Sequence, residues 1–160
     1  EVVSIEREPL SSLDQLNARI DPHDTDVRVV EGLGDTVDHT LLSTPDVTAA
    51  PDRSFLESYE GPICISPRYE RLVRAILGTD AMDGVTFRYP DGREEEAAIA
   101  SVGLGVYLTV TGSTARDHGL EVGERLFPSE TVLLENPAER SGAVEDVVDL
   151  LVGEIGAAAR

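Results

Sequence analysis

Lysine is missing altogether. The cationic side chains are 13 arginines, set against 31 aspartates and glutamates, which leaves a formal net charge of −18 over 160 residues. Such a chain repels itself in dilute buffer. At molar salt the screening length shrinks to about 3 Å and most of that repulsion vanishes. Carboxylates also hold hydration water against competing salt, and arginine, unlike lysine, pairs with a carboxylate through a planar fork. The composition therefore predicts a cytoplasm of very high salt, that of a halophilic archaeon, with a virion of a virus infecting one as the alternative location. The same charge argues against nucleic acid, whose phosphates need clustered cations, and against an anionic membrane surface.

Other absences narrow the reading further. Tryptophan is absent, and four tyrosines and three phenylalanines are the only aromatics, so the core is built from Val, Leu, Ile and Ala. Cys64 is alone, which excludes a disulfide framework and a cysteine-based zinc site. No run of 18 uncharged apolar residues occurs, so no membrane insertion is expected. Neither GxGxxG, Walker A, GxSxG nor a Cys/His zinc pattern is present.

What is there reads as α+β. Helices are expected over about 11–20, 67–77 and 138–156, packed on a mainly antiparallel sheet over about 85–134. The middle helix has the clearest signature: Ser66 as cap, Pro67 at its first position, an apolar stripe of Tyr69, Leu72, Val73, Ile76 and Leu77, and Gly78 as terminator. The last is marked by Asn136, Pro137 and Glu139 in a capping-box arrangement, with Val144, Val147, Val148, Leu151 and Ile155 as its buried stripe. Val2–Ile5, Val27–Glu31, Thr40–Ser43, Pro62–Ile65, Val85–Tyr89 and Thr131–Leu134 read as strands. From Ala98 to Val110 every even position is apolar, which predicts one long strand, or two around Gly103 and Gly105. The expected organisation is a single domain over 1–160. A small strand–helix–strand lobe at 1–43 and an irregular loop at 44–61 are its subdivisions.

Three groups of residues have chemistry to offer. Asp21, His23, Asp24 and Asp26, with Asp38 and His39, form an oxygen- and imidazole-rich set suited to a divalent cation or to acid–base work. A solvated turn is the plainer explanation of the first four, and adjacent Asp38 and His39 would face opposite sides of a strand. Ser66, Arg68, Arg71 and Arg74 form a cationic helix face that could receive an anionic ligand or partner, although Glu70 and Glu94–Glu96 stand close by in sequence to neutralise it. Gly103 and Gly105 would let another backbone approach the long strand. No constellation is specific to a reaction. The sequence therefore points first to a non-enzymatic protein-binding or assembly subunit without cofactor, working as a homo- or hetero-oligomer. The alternatives are a small metal- or acid–base-dependent enzyme using the Asp21–Asp26/Asp38–His39 cluster, and an anionic-ligand sensor using the Ser66–Arg74 helix.

Overall fold

Seven strands run through the described residues. The computed structural model describes residues 17, 18, 20, 26–34, 36–78, 83–136, 138 and 141–158. The expected strand at Val2–Ile5 and most of the helix over 11–20 lie outside the described residues, as do Asp21, His23, Asp24 and the Pro137 and Glu139 of the capping box; Asn17, Ala18 and Ile20 are helical. The class is α+β, with a mixed sheet.

The chain forms two compact units, one continuous (Val37–Ser129) and one assembled from both ends of the sequence (Glu1–Thr36 and Glu130–Arg160). In the discontinuous unit, β1 (Arg28–Gly32) pairs antiparallel with β7 (Val132–Glu135). Asn17 clamps β1 by accepting from the Val29 N–H at 2.8 Å and donating to its carbonyl at 2.9 Å. The C-terminal helix Gly142–Ala158 belongs to the same unit. Its stripe was expected to be buried, but Val144, Val147 and Leu151 are 44%, 54% and 43% exposed.

The continuous unit holds β2 (Val37–Ser43), β3 (Gly61–Ile65), β4 (Val85–Arg88), β5 (Leu104–Thr109) and β6 (Glu121–Ser129), in the spatial order β4-β3-β5-β2-β6. β4 and β5 both run parallel to β3, and β2 is antiparallel to its neighbours β5 and β6. Its helices are α1 (Arg53–Leu56), α2 (Glu70–Leu77, preceded by a 3-10 turn over Pro67–Tyr69), α3 (Glu95–Val102) and α4 (Ser113–Asp117). The expected helix over 67–77 is present, closed by Gly78 at φ +84°.

Burial follows the two-residue period of the central strands. Leu41, Ile63, Ile65, Leu104 and Val106 face one side, where Leu56 of α1 and Val73 of α2 cover them. Leu42 and Cys64 face the other, under Ala98 and Ile99 of α3 and Ala115 of α4. A sheet covered on both faces needs strands apolar on both faces, and the Ile63-Cys64-Ile65 run supplies that.

The period of two from Ala98 to Val110 misled. The segment is a helix and a strand joined at Gly103, whose φ of +101° ends α3 in the left-handed region. Ala97, Ala98 and Ala100 are strong helix formers, and Glu95 and Glu96 sit in the first turn, where the helix dipole favours acids. The turn before them is tight, with Asp91 at φ +52°, Gly92 at φ +77° and Arg93 N–H donating to the Pro90 carbonyl at 3.0 Å. It delivers the chain into a helix instead of a returning strand.

Candidate functional site

The connections around β3 create a switch point. From β3 the chain passes through α2 to β4 on one side; from β4 it passes through α3 to β5 on the other. Parallel crossovers are right-handed, so reversing the direction of travel puts α2 and α3 on opposite faces, as the two core clusters show. After β3 and β5 the chain therefore departs in opposite directions, and a crevice opens between the carboxyl ends of these adjacent strands. Open α/β sheets bind ligands at that place.

One wall of the crevice is Ser66 and the turn Pro67–Tyr69. The Ser66 side chain makes no capping bond, and its carbonyl accepts from Tyr69 N–H at 3.0 Å. The Arg68 guanidinium lies 5.9 Å from the Tyr69 ring centre. The other wall is the loop from Val110 to α4. Gly112 occupies the left-handed region at φ +70° and is buried, and a Cβ there would come within 2.8 Å of Val122. Thr111 Oγ1 and Ser113 Oγ are 3.0 Å apart, and Arg116 Nη1 braces the loop by donating to the Thr111 carbonyl at 2.9 Å. A left-handed residue followed by a helical turn forms a backbone nest that suits an anion, here flanked by the hydroxyls of Thr111, Ser113 and Thr114. Val110 stands 72% exposed at the tip.

The base of the crevice is the end of β2. Asp38 pairs with Arg125 of β6 at 3.1 Å, and the hydroxyls of Thr40 and Thr109 are hydrogen-bonded across β2 and β5. His39 points the other way, into the core. Its ring stacks on Phe127 (centres 4.1 Å apart) and meets Tyr69 edge-on at 4.4 Å. Neither ring nitrogen has a hydrogen-bond partner among the described residues, and burial pushes the imidazole down to about 4 against a smaller upward pull from Asp38. His39 is neutral at any pH the cell would meet.

The sequence-derived candidates are thus dispersed. Asp38 and His39 are separated by the sheet, Asp26 is exposed, and among the described residues no group of three or more His, Cys, Asp or Glu side chains is arranged to hold a metal ion. Arg74 is engaged by Glu70 at 3.0 Å and lies over Phe87 at 4.4 Å, while Arg71 is exposed. Gly103 closes a helix, and Gly105 receives the Ile99 side chain. Cys64 is buried; burial first, then Glu95 and Asp91, push its thiol up to about 11, so it stays protonated. The Thr111–Thr114 loop was missed. Its signal was a glycine framed by three hydroxyl residues between an apolar strand and a helical turn, a pattern that matches no standard phosphate-loop motif.

A doubly covered sheet with an anion-suited crevice at its switch point defines an α/β ligand-binding lobe. The family model described as halobacterial ATP phosphoribosyltransferase matches residues 1–159, and the chain belongs to that family. The fold is similar to that of the ATP phosphoribosyl transferase (HisG:HisZ) complex from Thermotoga maritima, with a TM-score of 0.53 at 21% identity, covering 86% of this chain. The match spans 65% of that chain's length. No curated protein matches the sequence.

Family membership overturns the first functional expectation. The family is one of enzymes, so neither a non-enzymatic assembly subunit nor a virion component stands, and the expected lack of catalytic activity falls with them. The halophilic reading of the charge agrees with the halobacterial description of the family. Among the described residues no helix is long and apolar enough to cross a membrane.

Proposed function

We propose that this chain provides the phosphoribosyl-holding lobe of an ATP phosphoribosyltransferase, with the anionic end of an activated phosphoribosyl donor seated in the crevice between β3 and β5. The observation that carries this reading is the Thr111–Thr114 loop at the switch point, with its left-handed, buried Gly112 and its flanking hydroxyls. Transfer to ATP breaks the bond between the sugar's anomeric carbon and its leaving group and forms one to a nitrogen of the acceptor. Negative charge collects on the departing oxygen, and preorganised N–H and O–H donors lower the barrier most when aimed there. The nest supplies backbone donors, Thr111 and Ser113 supply hydroxyls, and the Arg116 brace keeps the loop from rearranging as charge moves. Ser66 and Arg68 close the crevice from the β3 side.

The parent activity belongs to a longer chain in the Thermotoga structure, which is a complex of two kinds of subunit. We infer that this chain likewise works in a protein assembly, in the cytoplasm of a high-salt host. The test is a Thr111→Val/Ser113→Ala variant, assayed at molar KCl as the assembly isolated from cells. We expect kcat/KM for the donor to fall about tenfold or more, with kcat falling as well as KM rising, and an unchanged melting temperature. Wild-type kinetics in that variant would remove the loop from the site.

A further inference from the structure

α3 packs over β3 and β5 and leaves the outer strand β4 uncovered on that face. In the parallel pairing Arg88 stands beside Cys64, so its side chain projects on the α3 side, beyond the edge of the helix layer. The result is a groove of about 500 Å³ running along β4. Pro62 and Arg88 line it together with Ser101 of α3, the turn bearing Asp91 and Arg93, and Tyr89.

Two arginines give this groove its charge. Carboxylates outnumber arginines by 31 to 13 in this chain, and Arg53, Arg74 and Arg125 have each found one. Arg88 and Arg93, like Arg28, Arg68, Arg71 and Arg116, have no ion-pair partner among the described residues, and these two share one groove. Asp91 is the one acid in the lining, so the groove carries a local excess of one positive charge on a protein of −18. The turn fixes the backbone from which Arg93 projects. Asp91 is held at φ +52°, a conformation a non-glycine residue adopts rarely, and the Arg93 N–H is tied back to Pro90. Tyr89 is in the lining and 42% exposed, and its hydroxyl is held by donating to Glu70 at 2.6 Å. Two unpaired forks with a tethered tyrosine in the same lining suit a small organic anion with a planar body: guanidinium groups take phosphate or carboxylate bidentately, and the groove's volume lies within the range of small-molecule sites.

We propose that the groove between β4 and α3 is a binding site for a small phosphate- or carboxylate-bearing ring compound, held by Arg88 and Arg93. It is separate from the crevice at the carboxyl ends of β3 and β5 and does not rest on the activity assigned there. The probes are phenyl phosphate, benzoate and inorganic phosphate, titrated at molar KCl with the melting temperature as readout. Either ring compound should give a saturable rise in wild type, and the stronger of the two identifies the anionic group. In Arg88→Gln/Arg93→Gln the half-saturating concentration should rise at least about tenfold, with the unliganded melting temperature unchanged. Arg71→Gln, and the Thr111→Val/Ser113→Ala variant of the crevice, should bind as wild type does. No saturable response to either ring compound, or an undiminished one in the Arg88/Arg93 variant, would overturn the proposal. So would inorganic phosphate binding as tightly as phenyl phosphate, which would leave an adventitious ion only.

Discussion

Acidification from pH 6.5 to 4 is expected to remove about 3 kcal/mol of stability through His39 alone. The side chain is 1% exposed, between Tyr69 and Phe127, with no acceptor for a second proton. In the unfolded chain it titrates near 6.5; in the fold, burial pushes it down to about 4. Between those values the unfolded state binds a proton that the folded state refuses, so stability is complete above 6.5 and drains away as the pH falls toward 4. Many carboxylates titrate at the lower end of the same window, so the informative quantity is the difference from a His39→Phe variant, which keeps a ring in the Phe127 stack and carries no proton. Denaturant unfolding at matched pH and molar KCl should give curves that diverge by about 3 kcal/mol between pH 7 and 4, with the variant gaining. Parallel curves would mean that the imidazole reaches water or an acceptor in solution.

Gly105→Ala is the second large effect, with an expected loss of about 3 kcal/mol. A Cβ at that position would lie 2.4 Å from Cγ1 of Ile99 and 2.7 Å from the carbonyl oxygen of Cys64. The first contact is with a side chain pinned in the core at 1% exposure, the second with the backbone of the neighbouring strand. Relief requires α3 to lift or β3 and β5 to separate, and both border the crevice. Ile99→Ala by itself should also destabilise, by about 3 kcal/mol as a buried large-to-small change. Because it makes room for the added methyl group, the double variant should be more stable than the sum of the two by at least about 1 kcal/mol. Additive losses in chemical denaturation would show that the Cys64 carbonyl, not Ile99, sets the limit on this position.

Legibility from sequence followed how local the determining physics was. The helix over Glu70–Leu77 was readable because its stripe, Pro67 and Gly78 all lie within a dozen residues of one another. The parallel pairing of β3 with β4 and β5 was not, because two crossover helices and contacts far apart in sequence decide it. In α3 the pattern itself was ambiguous. Ala98 and Ala100 fit an alternating strand as well as a helix, and Gly103 was the one sign that the run is broken. Of β2, Thr40–Ser43 was read as a strand and Val37–His39 was missed, since Asp38 and His39 are polar although His39 is buried in the core. Of the features proposed for binding, Ser66 and Arg68 were visible as a helix start with a cation. The Thr111–Thr114 loop was not, since its capacity for an anion lies in the backbone angle of Gly112.

The interrupted first unit has a bearing on synthesis. Everything needed for the five-stranded sheet emerges from the ribosome as one continuous stretch, Val37–Ser129, whereas β1 must wait for β7 on the far side of that stretch. Domains tend to fold as they appear, so the nascent chain completes its inserted lobe first, with the hydrogen-bonding edge of β1 still unsatisfied. β1 is thus made before the inserted lobe and acquires its partner only after that lobe is complete.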